Sequence, residues 1–106
     1  MTIDEMIAGL PGEALVREGL ADLAAGRLTI PSCLLNIART RLTRAGVIPA
    51  GTPAPPGEPE FELYHLLGQQ PGDTSSMYNS LLRELSSFNN ALDHRLSRGT
   101  SGDHAG

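Results

Sequence analysis

The proline cluster between residues 49 and 59 limits what this chain can fold into more than any other feature. Five of the eight prolines lie in this stretch, PAGTPAPPGEP. Proline lacks the backbone N–H and has a fixed φ, so the stretch can continue neither a helix nor the hydrogen-bonded ladder of a sheet. We therefore predict a semi-rigid linker that separates two helical halves, at about residues 2–46 and 59–98.

Apolar residues at helical spacing dominate the N-terminal half. Thr2 and Glu5 have the spacing of a capping box, in which two side chains satisfy free amides of a first helical turn. Pro11 and Gly12 interrupt the first helix, and Gly26 suits the left-handed end of the second. The predicted helices are a short one with Ile3, Met6, Ile7 and Leu10 on one side, a second from about Glu13 to Ala25, and a third from Pro31 to Ala45.

Two more helices are predicted after the linker. The segment EFELYHLL favours a short fourth helix that ends at Gly68, and Asp73 is a suitable N-cap for a long final helix reaching Leu96 or Arg98. Residues 99–106 are expected to form a disordered tail. No segment alternates apolar and polar residues as a half-buried strand does. The predicted fold is therefore an all-α bundle of four to five helices in one domain, residues 1–98.

The last predicted helix carries the most prominent pattern in the sequence. Its apolar residues form an arc of about 140° on a helical wheel, which is wide enough for an ordinary core face. Asn89 lies inside this arc, where a buried amide costs free energy unless it is hydrogen-bonded. The candidate protein-interface residues on this face are Tyr78, Leu81, Leu85, Phe88, Asn89 and Leu92.

Two interpretations of this face are open, a core surface of the chain itself or a surface offered to a second protein. The final helix is about 30 Å long and the fourth only about 12 Å, so the fourth covers less than half of it. Helices two and three must cover the rest, and an uncovered remainder would mark an interface. We expect the face to point mostly inward, with Phe88, Asn89 and Leu92 bordering a second chain in a symmetric dimer.

The aromatic residues all follow the linker. This placement predicts that the fourth helix folds back on the fifth to form an aromatic hairpin. The alternative is that some of these side chains are exposed anchors for a partner, as aromatic residues often are at interfaces. The residues concerned are Phe61, Tyr64, Tyr78 and Phe88.

The middle of the chain is basic. Between Asp22 and Glu58 there are four arginines and no acidic residue, so this segment has a charge of +4, and the total of −4 leaves −8 elsewhere. Arg41 and Arg44 are possible nucleic-acid contacts, and helices two and three could form a degenerate helix-turn-helix. Arg39, however, lies nearly opposite them on the wheel, and the start of the third helix is neutral. DNA binding is therefore the alternative hypothesis, and an ion-paired or snorkelling Arg41 is the ordinary interpretation.

No residue pattern points to catalysis, a metal or a cofactor. Cys33 is the single cysteine, and His65, His94 and His104 have no partner at metal-ligand spacing. An enzyme built around Cys33 or a histidine is a distant alternative, and no cofactor is expected. The lone cysteine and the lack of a stretch of about 20 apolar residues predict a cytoplasmic protein that does not cross a membrane.

These observations favour a small non-enzymatic protein-interaction or regulatory module. It would act through the amphipathic last helix, either as a homodimer or in a small hetero-complex.

Overall fold

Helices provide the regular secondary structure of this protein. The computed structural model describes the backbone of residues 2–105 and the side chains of residues 2–97. Over the described backbone there are six helices and no strand, so the all-α prediction is confirmed. They are α1 (Ile3–Ile7), α2 (Glu13–Ala24), α3 (Ile30–Ile37), α4 (Arg39–Ala45), α5 (Pro59–Leu67) and α6 (Thr74–Ala105). Helix α6 runs to Ala105, beyond the end predicted at Leu96 or Arg98. The disordered tail predicted for residues 99–106 overlaps this last stretch, whose side chains lie outside the description, and it stays a prediction.

The helix starts follow from local side-chain chemistry. Thr2 Oγ1 accepts the N–H of Glu5 at 3.2 Å, and Glu5 Oε1 accepts the N–H of Thr2 at 3.0 Å, so the predicted capping box is present. Asp73 caps α6, since its Oδ2 accepts the N–H of Ser76 at 3.2 Å. A second capping box, formed by Thr29 and Ser32 at the start of α3, was missed in the sequence.

The predicted third helix is in fact two helices, and this raises the number of helices above the expected four to five. The break is at Ala38, where φ is −101° and ψ is 23°. Its N–H donates to the carbonyl of Leu35 at 3.1 Å, a tighter turn than an α-helix makes. Past this break, Leu42, Val47 and Ile48 are all buried. Burial of these side chains outweighs the good helix propensity of alanine, so the local sequence gave no sign of the break.

Helix α3 lies at the centre of the molecule. Cys33, Leu34 and Leu35 are at most 1% exposed, as expected of a helix that is apolar on most sides. Helices α2, α5 and α6 all pack against it. Gly19 permits the close approach of α2, because a Cβ there would lie 2.7 Å from Leu35 Cδ1 and 2.8 Å from the carbonyl oxygen of Pro31. The core joins both halves of the chain through Met6, Ile7, Leu10, Val16, Leu23, Leu63, Leu67, Leu85, Phe88 and Leu92.

Two arginines connect segments that are distant in sequence. The Arg39 guanidinium donates to the carbonyl of Pro53 at 2.8 Å and to that of Thr52, which fastens the proline linker against α4. Arg95 on α6 donates to the carbonyls of Met6 and Ala8 at 2.9 and 2.8 Å, at the end of α1. It satisfies carbonyls that a helix end leaves unpaired. Within the described residues, no helix has both the length and the apolar character that crossing a bilayer requires.

Candidate protein-interaction site

The apolar face of α6 points into the protein's own core. Phe88 is 0% exposed, Leu92 is 1% exposed and Leu85 is also buried, whereas Tyr78 and Leu81 are half-buried. A dimer seam formed by Phe88 and Leu92 is therefore not available in this fold, because these side chains have no exposed surface. Helix α1 packs on α6 together with α3 and α5, so more of the apolar face of α6 is covered than the helix lengths predicted. Any interface on this side of the protein must use the residues that surround Phe88 and Leu92.

A groove of about 390 Å³ lies beside α6, where α6 meets the break between α3 and α4. We call it the Asn89 groove, and it is lined by Ile37, Ala38, Thr40, Arg41, Leu82, Leu85, Ser86 and Asn89. A neighbouring hollow shares Leu82 and Ser86 with it and continues along α6 to Asn79 and Arg83. The groove is mostly apolar in its walls and carries a few polar groups, as protein binding sites do.

Asn89 is the unusual residue of this groove. It is 6% exposed, and its Oδ1 has no hydrogen-bond partner among the described residues. A buried acceptor without a donor costs about 1–3 kcal/mol, and nearly all buried polar groups in proteins are paired. The terminal torsion of an asparagine is soft, so rotation about it can turn the amide toward a donor that enters the groove. The position of Asn89 inside the apolar arc was the sequence signal for this site.

The rim of the groove carries positive charge. Arg41 pairs with Asp93, so the ion-paired interpretation of Arg41 is confirmed. Arg83, in the neighbouring hollow, is exposed and has no ion-pair partner among the described side chains. Arg44 is also exposed but lines neither the groove nor the hollow. Glu84, the residue after Arg83, lies against the turn between α1 and α2, where a Cβ on Gly12 would be 3.3 Å from Glu84 Cγ. Acidic segments would therefore meet a favourable field at this rim.

Burial of α3 disfavours the helix-turn-helix alternative. In that motif the second helix enters the DNA groove with its first residues exposed. Here α3 would be that helix, but Ser32, Cys33, Leu34 and Leu35 are all buried. At the start of α3 this burial leaves only the half-buried, uncharged Ile30 and Pro31 near the surface. Arg41 and Arg44 lie on the separate helix α4.

A second exposed feature lies on α5. The predicted hairpin of α5 and α6 is present: the rings of Tyr64 and Tyr78 meet edge to face with centroids 5.4 Å apart, and the Tyr64 hydroxyl is 2.9 Å from Ser75 Oγ. Phe61 takes no part in this contact and is 71% exposed, and Tyr64 is 45% exposed. With the acidic residues beside them they form a surface that we call the α5 ridge, made of Glu58, Glu60, Phe61 and Tyr64.

Leu81, the remaining predicted interface residue, lines another shallow apolar groove of about 450 Å³. This groove lies between the start of α3, the end of α5 and the first turns of α6, and it is also lined by Ile30, Leu67, Gln70, Ser76, Met77 and Ser80. It contains no charged side chain, so it offers no basis for choosing a ligand.

The thiol and the imidazoles are placed poorly for catalysis. Cys33 is 1% exposed, and burial raises the pKa of its thiol, with the negative charge of Glu62 acting in the same direction. A nucleophilic cysteine needs the opposite shift. His65 and His94 are exposed, and the side chain of His104 lies outside the described residues. Among the described residues, no group of three His, Cys, Asp or Glu side chains is arranged to hold a metal ion.

No protein-family model, no curated protein and no solved structure matches this chain. The sequence identified Asn89 and Leu85 as candidates but missed Ile37, Leu82 and Ser86, which become neighbours of Asn89 only where the broken helix meets α6.

Proposed function

We propose that this chain is a non-enzymatic protein-interaction module that binds its partner in the Asn89 groove. The observation that carries the proposal is Asn89, a residue that lines an open groove and whose buried Oδ1 has no hydrogen-bond partner among the described residues. An apolar side chain at this position would avoid the cost of an unpaired acceptor. A polar side chain at such a cost is expected where it recognises a ligand.

The chemistry of the groove suits a segment of protein. Ile37, Leu82 and Leu85 provide apolar contact for a side chain. Rotation of the Asn89 amide would turn its unpaired oxygen toward an N–H or O–H donor. A protein segment supplies both at short spacing. Arg41 and Arg83 on the rim favour a segment with acidic residues, which would speed association and fix its orientation.

We also propose a cytoplasmic location, with either a second copy of the chain or another protein as the partner. The cysteine content supports this location, because the one cysteine, Cys33, is free and buried.

Photo-crosslinking at two neighbouring positions of α6 tests this function. Ser86 lines the groove, whereas Ser87 is exposed and one residue further along the helix, so it points about 100° away. A benzophenone amino acid at position 86, expressed in the native host cells, should give an adduct of one defined mass. The same amino acid at position 87 should not give that adduct. Identical adducts at both positions, or none at position 86, would refute the proposed function.

A further inference from the structure

We propose that the occupant of the Asn89 groove is the α5 ridge of a second copy of this chain. This inference rests on the proposed function and identifies the partner of the same site. The ridge and the groove are both formed by described residues, and each supplies what the other lacks.

Charge is the first complementary property. The ridge carries Glu58 and Glu60, both exposed and without an ion-pair partner among the described side chains. The groove rim carries Arg83, also without such a partner, and Arg41, whose partner Asp93 is itself about half exposed. The chain as a whole has a net negative charge, so the cationic rim is a local feature of its surface. Opposite charges on the two surfaces favour encounter and fix the orientation of docking.

The second complementary property is the match of apolar surface and hydrogen bonding. Phe61 is the most exposed large apolar side chain among the described residues, and the apolar walls of the groove can cover it. The Tyr64 hydroxyl lies 2.9 Å from Ser75 Oγ. A phenol can accept one hydrogen bond and donate another. When Ser75 donates to Tyr64, the phenolic O–H is free to donate to Asn89 Oδ1 of the neighbouring copy, once rotation of that amide brings the oxygen to the groove surface.

The ridge cannot fill the groove of its own chain. Tyr64 contacts Tyr78, which lies eleven residues before Asn89 on α6. This separation corresponds to about 16 Å along the helix. Because α5 packs on both α3 and α6, it is held at that distance. The contact must therefore form between copies.

The predicted contact is head to tail, in contrast to the symmetric dimer expected from the sequence. A symmetric pairing of two Asn89 grooves would gather Arg41 and Arg83 of both copies into one interface as like-charge pairs. Such like-charge pairs oppose binding. A ridge-to-groove contact leaves one free groove and one free ridge on each pair, so it continues into rings or open chains.

Sedimentation velocity of three variants tests the contact. The wild type should form species larger than dimers over a range of about 1 μM to 1 mM, which covers weak specific complexes. Ser86→Glu places a negative charge in the groove, and Glu60→Arg combined with Phe61→Ser removes the ridge. Each should weaken association by about tenfold or more. Ser87→Glu is the matched control: it makes the same substitution on the exposed side of α6 and should associate like the wild type.

Mixing the two defective variants gives the sharpest result. The Ser86→Glu protein keeps an intact ridge, and the Glu60→Arg, Phe61→Ser protein keeps an intact groove. An equimolar mixture should form one-to-one dimers and nothing larger, although neither variant associates alone. Tyr64→Phe should weaken association of the otherwise wild-type chain, because it removes the donor for Asn89. Far-UV circular dichroism should show unchanged helix content for every variant.

A monomeric wild type at the highest concentration would overturn the inference. So would association that survives loss of the ridge, or a mixture that fails to form dimers. These outcomes are distinct from failure of the proposed function, because the crosslink at position 86 can still identify a different protein in the groove.

Discussion

Replacing Asn89 by leucine should stabilise the protein. Leucine branches at the same carbon as asparagine but carries no polar side-chain atoms, so the variant removes the buried, unpaired Oδ1. Eliminating a buried, unsatisfied acceptor is worth about 1–3 kcal/mol. For a domain of this size, each kcal/mol shifts the thermal midpoint by roughly 4–8 °C.

Asn90→Leu provides the matched control. Asn90 is the next residue of α6 and is exposed, so the same substitution there changes helix propensity equally but removes no buried polar atom. Urea unfolding followed by circular dichroism should give Asn89→Leu the larger free energy of unfolding by about 1–3 kcal/mol, with similar m values. If Asn89→Leu is no more stable than Asn90→Leu, the oxygen is hydrogen-bonded in solution. The reasoning about the groove would then be refuted.

The remaining predictions concern packing and pH. Gly19→Ala should lower the urea midpoint, with a net loss of about 1–2 kcal/mol in the free energy of unfolding, because the added Cβ would overlap the Pro31 carbonyl and Leu35. A higher midpoint, as expected for an ordinary helical glycine, would contradict the close approach of α2 and α3. The pKa of Asp22 is held below its usual range by the Thr29 hydroxyl and then by Arg27. Its stabilising effect is therefore present above the unfolded pKa of about 3.9 and is lost as pH falls through the lower folded value. Asp22→Asn should lose less stability on acidification than the wild type; equal losses would assign the acid sensitivity to other groups.

The capped helix ends were the part of the fold that the sequence determined by itself. Thr2 with Glu5, Gly26 and Asp73 act on backbone groups only a few residues away, so their effect can be recognised from spacing alone. The all-α class followed for the same reason, since the 3.6-residue period is a local property. The sequence also placed Asn89 within an apolar arc, although it could not say whether the amide had a partner.

The tertiary structure decided where these helices meet and what each side chain does there. The break at Ala38 depends on burial of Leu42, Val47 and Ile48. The helix propensity of Ala38 itself gives no sign of this burial. Arg39 and Arg95 form no local pair, and their carbonyl partners become visible only when distant segments are brought together. The Asn89 groove has the same origin, because its walls come from α3, α4 and α6. Capping and periodicity act over one or two turns, whereas packing and buried hydrogen bonds depend on residues tens of positions apart.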